Sequence, residues 1–331
     1  MKPPIYVKLV FGNLSHKLLL AILFSSWGIT AQAQAFPNKP VTLVVTAAAG
    51  GTTDLIARIV AERLNLGQPV IVENRPGASG SVAAGAVAGA KADGHTLLFA
   101  SASHAGLRAM YSRLPFDPVA DFEPVGAIAQ IPIVIVVKAD SPYRDIKGLV
   151  QTAREKPGSL NCAGGSGGSS VTNLAFEMLK KELGINILAI PYKGGGPALV
   201  ALMSGEIDCD SDALPSLMPM IQSGKVRPLA VMSASRIPSL PQVPTVSETV
   251  MPSMNASAWI GVLVPKGTPA VVLDKLRSAV TSVLAEPATV DRIRANGAEP
   301  FNLPGVAFGR FIEDEGKRWG AQIEKLGLRE N

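Results

Sequence analysis

The sequence predicts a doubly wound α/β protein, in which short parallel strands alternate with helices that cover both faces of a sheet. Short apolar segments rich in Val, Ile and Leu alternate with amphipathic segments of helical period along almost the whole chain. Small-residue turns follow several of the apolar segments, and no internal repeat or low-complexity block interrupts the pattern. The 331 residues leave room for about two domains.

The first half of the chain contains the clearest examples of this alternation. Residues 41–46 predict a buried strand, and a glycine turn connects it to a helix from about Thr52 to Leu64 whose apolar residues recur at helical spacing. Residues 79–90 are almost all small and predict a helix able to pack very close to the sheet. Further strands are predicted at 69–73, 96–100 and 131–137.

The second half continues the pattern and ends in helices. Strands are predicted at 160–163, 187–190 and 207–210, and the last of these runs directly into Ser211-Asp212. Thr268-Pro269 has the composition of a helix start, with Thr as the cap and Pro in the first turn. The helices of this half are predicted at 146–150, 171–179, 197–204, from 268 onward, and 308–326.

The bulk composition indicates a globular chain and gives no sign of a nucleic-acid partner. Hydrophobic residues make up 47% and charged residues 17%, which excludes a disordered protein. The formal net charge is +5, but Lys2, Lys8 and Lys17 lie in a segment that we expect to be removed. Without these three, 28 of the 31 basic residues remain against 26 acidic ones, and no Lys/Arg cluster is present.

The first 35 residues have the pattern of a cleaved secretory signal. A basic stretch ends at Lys17, residues 18–29 are apolar, and the small residues of 31–35 fit a cleavage site before Phe36. About twelve apolar residues are too few for the ~20 that span a bilayer. We therefore expect a mature periplasmic protein that begins at residue 36, with an uncleaved membrane anchor as the alternative.

The two cysteines, Cys162 and Cys209, both fall in predicted strands. In an oxidising compartment they can pair if those strands are neighbours, and otherwise they are two buried free thiols. The sequence leaves both outcomes open. Two cysteines 47 residues apart with no nearby His cannot supply the four ligands of a structural zinc site, so we expect no metal and no cofactor.

Three predicted strand-to-helix loops share one chemical character. The segments 48–54, 101–104 and 164–170 are rich in Gly, Ala, Ser or Thr and contain no Lys or Arg. Open α/β sheets bind ligands beyond the carboxyl ends of their strands, where helix N-termini offer N–H groups to an anion. Three such loops in one chain favour a shared cleft lined by neutral donors, although glycine- and serine-rich loops are common in this fold class.

Two further residues are candidates for ligand contacts. His104 lies in the second loop and Asp212 at a strand end, where its carboxylate is able to accept a hydrogen bond from a ligand amine or hydroxyl. The alternatives are an exposed loop histidine without a role and an aspartate that only caps a turn or helix.

An exported serine hydrolase is the competing enzymatic interpretation. Gly164-x-Ser166-x-Gly168 matches the nucleophile-elbow pattern and lies between a strand and a helix. That fold places its histidine later in the chain than the serine, whereas His16, His95 and His104 all precede Ser166. No Ser-x-x-Lys pair supplies another base. We therefore expect no catalytic residues and no enzyme.

The chain resembles the Bug family, the extracytoplasmic solute receptors of tripartite tricarboxylate transporters, over nearly all of residues 36–331. Many short matches occur in the right order, and together they are far more specific than any single one. They are Pro37–Val41, Ala49-Gly50-Gly51, Gly67–Val70, Glu73–Gly77, Asp93–Leu98, Leu114–Pro118, Asp121-Phe122, Pro191–Gly194, Val243-Pro244-Thr245 and Lys266–Pro269.

The resemblance implies a type II periplasmic-binding-protein fold, with two doubly wound α/β lobes joined by two crossing segments. Lobe 1 is expected at 36–138 plus 251–331, and lobe 2 at 139–250. Such receptors hold a small carboxylate between the lobes with neutral donors and deliver it to membrane transporter subunits. The expected ligand-binding residues are Ala47, Ala48, Ala49, Gly50, Gly51, Ser101, Ser103, His104, Ser166, Gly167, Gly168, Ser169, Ser170 and Asp212.

Departures from the family pattern limit how far the ligand can be inferred. Thr46 and Ala47 replace the usual Pro and aromatic residue of the first loop, Asn173 replaces a common His, and His95 replaces Tyr. The pocket is therefore expected to be roomier or wetter than usual, and the particular carboxylate is not predicted. We expect a monomer without nucleic-acid contacts, and a sensing receptor of the same fold is the alternative to a transport role.

Overall fold

The computed structural model describes residues 36–164, 170–192 and 195–327, in addition to Met1. The predicted signal segment therefore lies outside the described residues. Within the described part, no helix combines the length and the apolar character needed to cross a membrane.

The strands form one mixed sheet in which parallel pairs occupy both ends and antiparallel strands occupy the centre. The hydrogen-bonded order is β2-β1-β3-β9-β4-β7-β5-β6, and β8 and β10 also pair with β4. The strands are β1 (Val41–Val45), β2 (Val70–Asn74), β3 (Thr96–Ser101), β4 (Phe122–Lys138), β5 (Asn161–Ala163), β6 (Leu188–Ile190), β7 (Cys209–Ala213), β8 (Val226–Val231), β9 (Ser257–Pro265) and β10 (Glu299–Pro300).

Helices follow most of the strands, as the alternating pattern predicts. The short segment Ala78–Gly80 is a 3₁₀ turn, so the helix predicted from residue 79 begins two residues later. The α-helices are α1 (Thr52–Arg63), α2 (Ser81–Ala88), α3 (Ser103–Met110), α4 (Ile146–Glu155), α5 (Val171–Leu183), α6 (Gly195–Ser204), α7 (Leu214–Gln222), α8 (Val246–Thr249), α9 (Ala270–Ala285), α10 (Pro287–Ala295) and α11 (Gly305–Leu326).

The sheet is covered on both faces, because consecutive side chains of its strands enter different hydrophobic clusters. In β3, Leu97 and Phe99 pack in the cluster that includes residues of α1 and α9, whereas Leu98 and Ala100 pack with residues of α2 and α11. Side chains of a strand alternate between its two faces, so this division places helices on both sides. The predicted α/β class is confirmed.

The strand β4 is shared by two sets of partners. From Phe122 to Pro132 it pairs with β9, and from Ile133 to Lys138 it pairs with β7 and β8. The exchange therefore lies about six residues before the predicted lobe boundary at 138. The division into lobes itself stays a prediction.

A disulfide joins Cys162 of β5 to Cys209 of β7. The two residues are direct partners in the parallel pairing of these strands, with their Cα atoms 4.6 Å apart, and both are fully buried. The neighbouring strands that the pairing required are therefore present. The bond links the strand that leads to the loop of residues 164–170 with the strand that carries Asp212.

Candidate functional site

A cleft of about 620 Å³ lies at the carboxyl ends of β1, β3 and β7 and at the start of α5. Open α/β sheets bind their ligands at this edge. Among the described residues, those that line the cleft are Ala47, Ala48, Gly51, Thr52, Thr53, Ser101, Ala102, Ser103, Ile131, Ser170, Val171, Thr172, Gly195, Asp212, Ala213, Ser216, Ala258 and Trp259.

Five helices begin at the wall of this cleft. The residues that precede α1, α3, α5 and α7 are Gly51, Ala102, Ser170 and Ala213, and α6 begins at Gly195; all five line the cleft. Three of the caps, Gly51, Ala102 and Ala213, supply no side-chain hydrogen bond to the first turn of their helices. The cleft therefore collects helix N-termini, where N–H groups and the helix dipole favour a negative charge.

The charge in the cleft comes from one acidic side chain. Asp212 is the single charged residue among the described lining residues, which include no Lys, Arg or His. An anion bound in this part of the cleft would therefore meet neutral N–H and hydroxyl groups, as the loop composition predicts.

A chain of hydroxyl groups lines one side of the cleft. Ser103 Oγ donates to the carbonyl oxygen of Ser79 at 2.9 Å, which leaves Ser101 Oγ to donate to Ser103 Oγ at 3.0 Å. Thr46 Oγ1 lies 3.4 Å from Ser101 Oγ and 3.3 Å from the carbonyl oxygen of Phe99. Each hydroxyl has one proton, so Ser101 can offer its proton to a ligand only by turning away from Ser103.

The first loop is held in place by a buried carboxylate that the sequence analysis did not identify. Asp54, which is 2% exposed, accepts hydrogen bonds from Gly50 N (2.8 Å), Asn74 Nδ2 (2.9 Å) and Arg58 Nε (3.0 Å). Asn74 Nδ2 also lies 3.0 Å from the carbonyl oxygen of Ala47. Burial alone would raise the pKa of Asp54, but these donors together lower it, so the carboxyl is ionised at neutral pH.

Replacing Asp54 by Ala should lower the free energy of unfolding by about 2–3 kcal/mol, because several donors lose a charged acceptor at once. Urea unfolding at pH 7 measures this change. Arg58→Ala is the matched control, since Arg58 is half exposed and solvent screens its ion pair with Asp54, so its loss should matter far less than loss of the buried carboxylate. Equal losses in the two variants would contradict the role assigned to Asp54.

Two aspartates lie on one face of β7. Asp210 is fully buried and no other described side chain forms a hydrogen bond with its carboxyl group, whereas Asp212 is 4% exposed and reaches the cleft. Burial and the charge of Asp212 raise the pKa of Asp210 to about 8. Burial also raises the pKa of Asp212, although the N–H of Ala213 and the hydroxyl of Ser216 partly offset it. Asp210 is thus mainly protonated at neutral pH.

The structure does not bring His104 to the cleft. The predicted loop 101–104 is shorter than expected because α3 begins at Ser103, so His104 lies inside the helix and is 2% exposed. Its Nε2 donates to the carbonyl oxygen of Pro118 at 2.7 Å, and its ring packs edge-to-face on Phe122. Burial lowers the pKa of His104 to about 4, so the ring is neutral. The side chain belongs to the core.

The structure places half of the expected ligand-binding residues at one cleft. Ala47, Ala48, Gly51, Ser101, Ser103, Ser170 and Asp212 line the same cleft, whereas Ala49 and Gly50 do not. Gly50, at φ +82°, turns its N–H inward to Asp54, which removes that donor from the cleft. Ser166, Gly167, Gly168 and Ser169 lie outside the described residues.

Several lining residues were missed by the sequence analysis. Thr52, Thr53 and Thr172 are in the first turns of helices that start at predicted loops, so their positions could have been inferred. Ser216 lies in the first turn of α7, a helix that the sequence analysis did not predict. Trp259 was missed because its strand β9 was not predicted, although Ile260 and Val262 beside it are typical of a strand.

The fold and the cleft define an α/β solute receptor of the periplasmic-binding type, and comparison with known proteins identifies its family. Residues 56–328 match the family described as the tripartite tricarboxylate transporter family receptor. The chain belongs to this family, and the predicted Bug resemblance is confirmed.

Relatives of known sequence or structure match almost the whole chain. BugT of Bordetella pertussis is 34% identical over 318 residues, which cover 94% of this chain and 97% of BugT. The R. palustris protein Rpa4515, solved with adipate, is 35% identical with a TM-score of 0.79, covering 89% of this chain and 99% of that one. MatC from Rhodopseudomonas palustris, solved with bound malate, is 32% identical with a TM-score of 0.75, covering 87% and 100%.

Proposed function

We propose that this protein is a periplasmic receptor that binds a small carboxylate in the cleft and delivers it to the membrane subunits of a tripartite tricarboxylate-type transporter. The observation that carries the proposal is the convergence of five helix N-termini on one cleft. The described residues that line this cleft include no Lys, Arg or His. Neutral donors suit a receptor because they hold an anion without the strong ion pair that would slow its release.

The carboxylate is placed between the starts of α1, α3 and α5. The first turns of α3 and α5 contain no acidic residue, so nothing on those helices already complements their dipoles. Backbone N–H groups near Ala48 and Thr52 and the hydroxyl group of Ser170 supply donors, and the hydroxyl of Ser101 joins them when it turns away from Ser103. Exclusion of water from a filled cleft strengthens each of these hydrogen bonds.

The relatives support the same chemical class. Rpa4515 and MatC were solved with adipate and malate, both small dicarboxylates, and each covers nearly nine tenths of this chain. The family is a receptor family and not an enzyme family. Covalent labelling by a fluorophosphonate would instead support the hydrolase interpretation at Ser166, for which His95 and His104 remain the only histidines beyond the predicted signal.

A thermal-shift screen tests the proposal directly. The purified protein is heated with mono-, di- and tricarboxylates, acidic amino acids and aromatic acids. An acid present at 100 times its dissociation constant should add about 2.7 kcal/mol to the free energy of unfolding. A shift with one class of acid supports the proposal. The absence of any shift, in protein shown by mass spectrometry to carry no ligand, would contradict it.

Ala48→Trp should reduce the affinity for such an acid by at least tenfold, because the new indole occupies the cleft beside the start of α1. Ala48 is exposed and lines the cleft, so the substitution does not disturb the core. The neighbouring Ala49 is also exposed but does not line the cleft, and Ala49→Trp is therefore the matched control. Isothermal titration calorimetry measures both. Equal affinities for the two variants would argue against this location.

A further inference from the structure

The two sides of the cleft differ in hydrogen-bonding character. We infer that the ligand carries, besides its carboxylate, a hydrogen-bond donor such as a hydroxyl or ammonium group that binds Asp212. This inference rests on the proposed function and narrows its ligand class. The carboxylate lies between α1, α3 and α5, and the donor group lies at the side formed by β7, α6 and α7.

Asp212 is held in the cleft wall by its immediate neighbours. Its Oδ1 accepts from the N–H of Ala213 at 2.7 Å, and its Oδ2 lies 3.1 Å from Ser216 Oγ. A Cβ on residue 195 would overlap Oδ2, so only glycine at Gly195 allows this close approach of α6. The carboxylate is thus fixed in direction, with Oδ2 between the first residues of two helices.

The hydrogen bonds around Oδ2 leave it short of donors. Ser216 Oγ also lies 2.7 Å from the carbonyl oxygen of Ala213, which is shorter than its 3.1 Å distance to Asp212 Oδ2. A hydroxyl has one proton, so it serves one of these acceptors at a time, and the shorter contact is the better one. A carboxylate oxygen has two lone pairs. Oδ2 therefore retains the capacity to accept from a ligand.

The deeper aspartate does not relieve this shortage. Asp210 lies two residues away on the same face of β7, is fully buried, and forms no hydrogen bond with Asp212. Among the described residues, neither aspartate forms an ion pair with a Lys or Arg. Asp212 Oδ2 is therefore left with one shared donor, and a donor on the ligand would complete its hydrogen bonding.

The helix N-termini at the cleft also form two groups, those next to Asp212 and those without an acidic residue nearby in their own first turns. Asp212 already complements the starts of α6 and α7, to which it is adjacent. The starts of α3 and α5 have no acidic residue in their first turns and stay available to a ligand anion. A second ligand carboxylate at Asp212 would meet a buried negative group, which costs free energy. A hydroxyl or ammonium group meets an acceptor instead.

Matched acids that differ in one substituent test the inference. Calorimetry measures the affinity for two parent dicarboxylates, succinate and glutarate. It is repeated with malate and aspartate, and with 2-hydroxyglutarate and glutamate, which keep the carboxylate spacing of their parent and add a hydroxyl or ammonium donor. The parent monocarboxylates and aromatic acids are tested with their hydroxylated forms. A donor-bearing acid should bind at least tenfold more tightly than its parent in one of these series. In Asp212→Asn this preference should fall below threefold.

Asp210→Asn is the matched control, because it changes the same face of β7 without reaching the cleft. It should keep the preference for the donor-bearing acid. Equal binding of parent and substituted acids to the wild-type protein would overturn the inference and leave the proposed function intact. A preference that survives in Asp212→Asn, with melting showing a folded variant, would overturn the assignment to Asp212. Failure of every acid to bind would contradict the proposed function itself.

Discussion

The free energy of unfolding of Asp210→Asn, relative to that of the wild-type protein, should increase as the pH rises from 5 to 8. Burial and the charge of Asp212 raise the pKa of the folded-state carboxyl from 3.8 to about 8. The stability that this protonated group contributes is fully present below pH 3.8 and is lost as the pH rises through 8, because the unfolded chain releases the proton first. At about 1.4 kcal/mol per pH unit, the advantage of Asn over Asp grows by about 4 kcal/mol between pH 5 and 8.

Urea unfolding of both proteins at pH 5, 6, 7 and 8 measures this growing difference. The comparison removes the constant cost of exchanging the side chain, because only the change with pH is used. It also removes the effect of His104, whose lowered pKa costs stability below about pH 6.5 equally in both proteins. A difference in unfolding free energy that stays constant over this range would show that Asp210 is not held neutral by its surroundings.

Removing the disulfide should lower the free energy of unfolding by about 2–4 kcal/mol. The bond closes a loop of 47 residues between Cys162 and Cys209, and cross-links of such length mainly restrict the unfolded chain. The double variant Cys162→Ala/Cys209→Ala keeps both positions small and apolar. Denaturant unfolding of the oxidised wild type and of the variant measures the loss.

The reduced wild-type protein is the control for packing. It has the native cysteine side chains without the bond, so its stability should lie close to that of the double variant. Both cysteines are fully buried, and reduction therefore has to be carried out on the unfolded chain before refolding. Equal stability of the oxidised and reduced wild-type proteins would contradict the expected contribution of the bond.

The fold class was predictable because its signals are local. Strand, small-residue turn and helix follow one another in residues 41–64, and the structure has β1 and α1 there with ends within about one residue of the prediction. Parallel strands need helical crossovers, so the alternation alone indicates the class. The parallel outer strands of the sheet were found in this way.

The antiparallel centre of the sheet was not predictable by the same reasoning. The strand β9 contains Ile260, Val262 and Val264, which are typical of a strand, but the alternation of strands and helices gives no sign that it pairs antiparallel with both β3 and β4. A Cβ at Gly261 would overlap the ring of Phe308, which explains a glycine inside a strand. The prediction of 131–137 likewise covered less than half of β4, since its first part pairs with that unpredicted neighbour.

The site was predictable to the extent that it depends on loops at strand ends. Seven of the expected residues line one cleft because the carboxyl ends of the strands that carry them meet at the same sheet edge. The role of Asp54 and the burial of His104 could not be predicted from the sequence. Both depend on the direction of a side chain in the first turn of a helix. Such directions are set by tertiary packing.

The position of β9 has a consequence for how this chain reaches its native state. Leu98 of β3 pairs with Leu263, and Pro132 of β4 pairs with Ser257, so two early strands depend on a partner from far along the chain. Contacts of such long sequence separation slow folding, because a large loop has to close before they form. A nascent chain that ends before residue 257 leaves β3 and β4 with unpaired edges, which are open to aggregation. We therefore expect the centre of the sheet to form only when residues 257–265 are available.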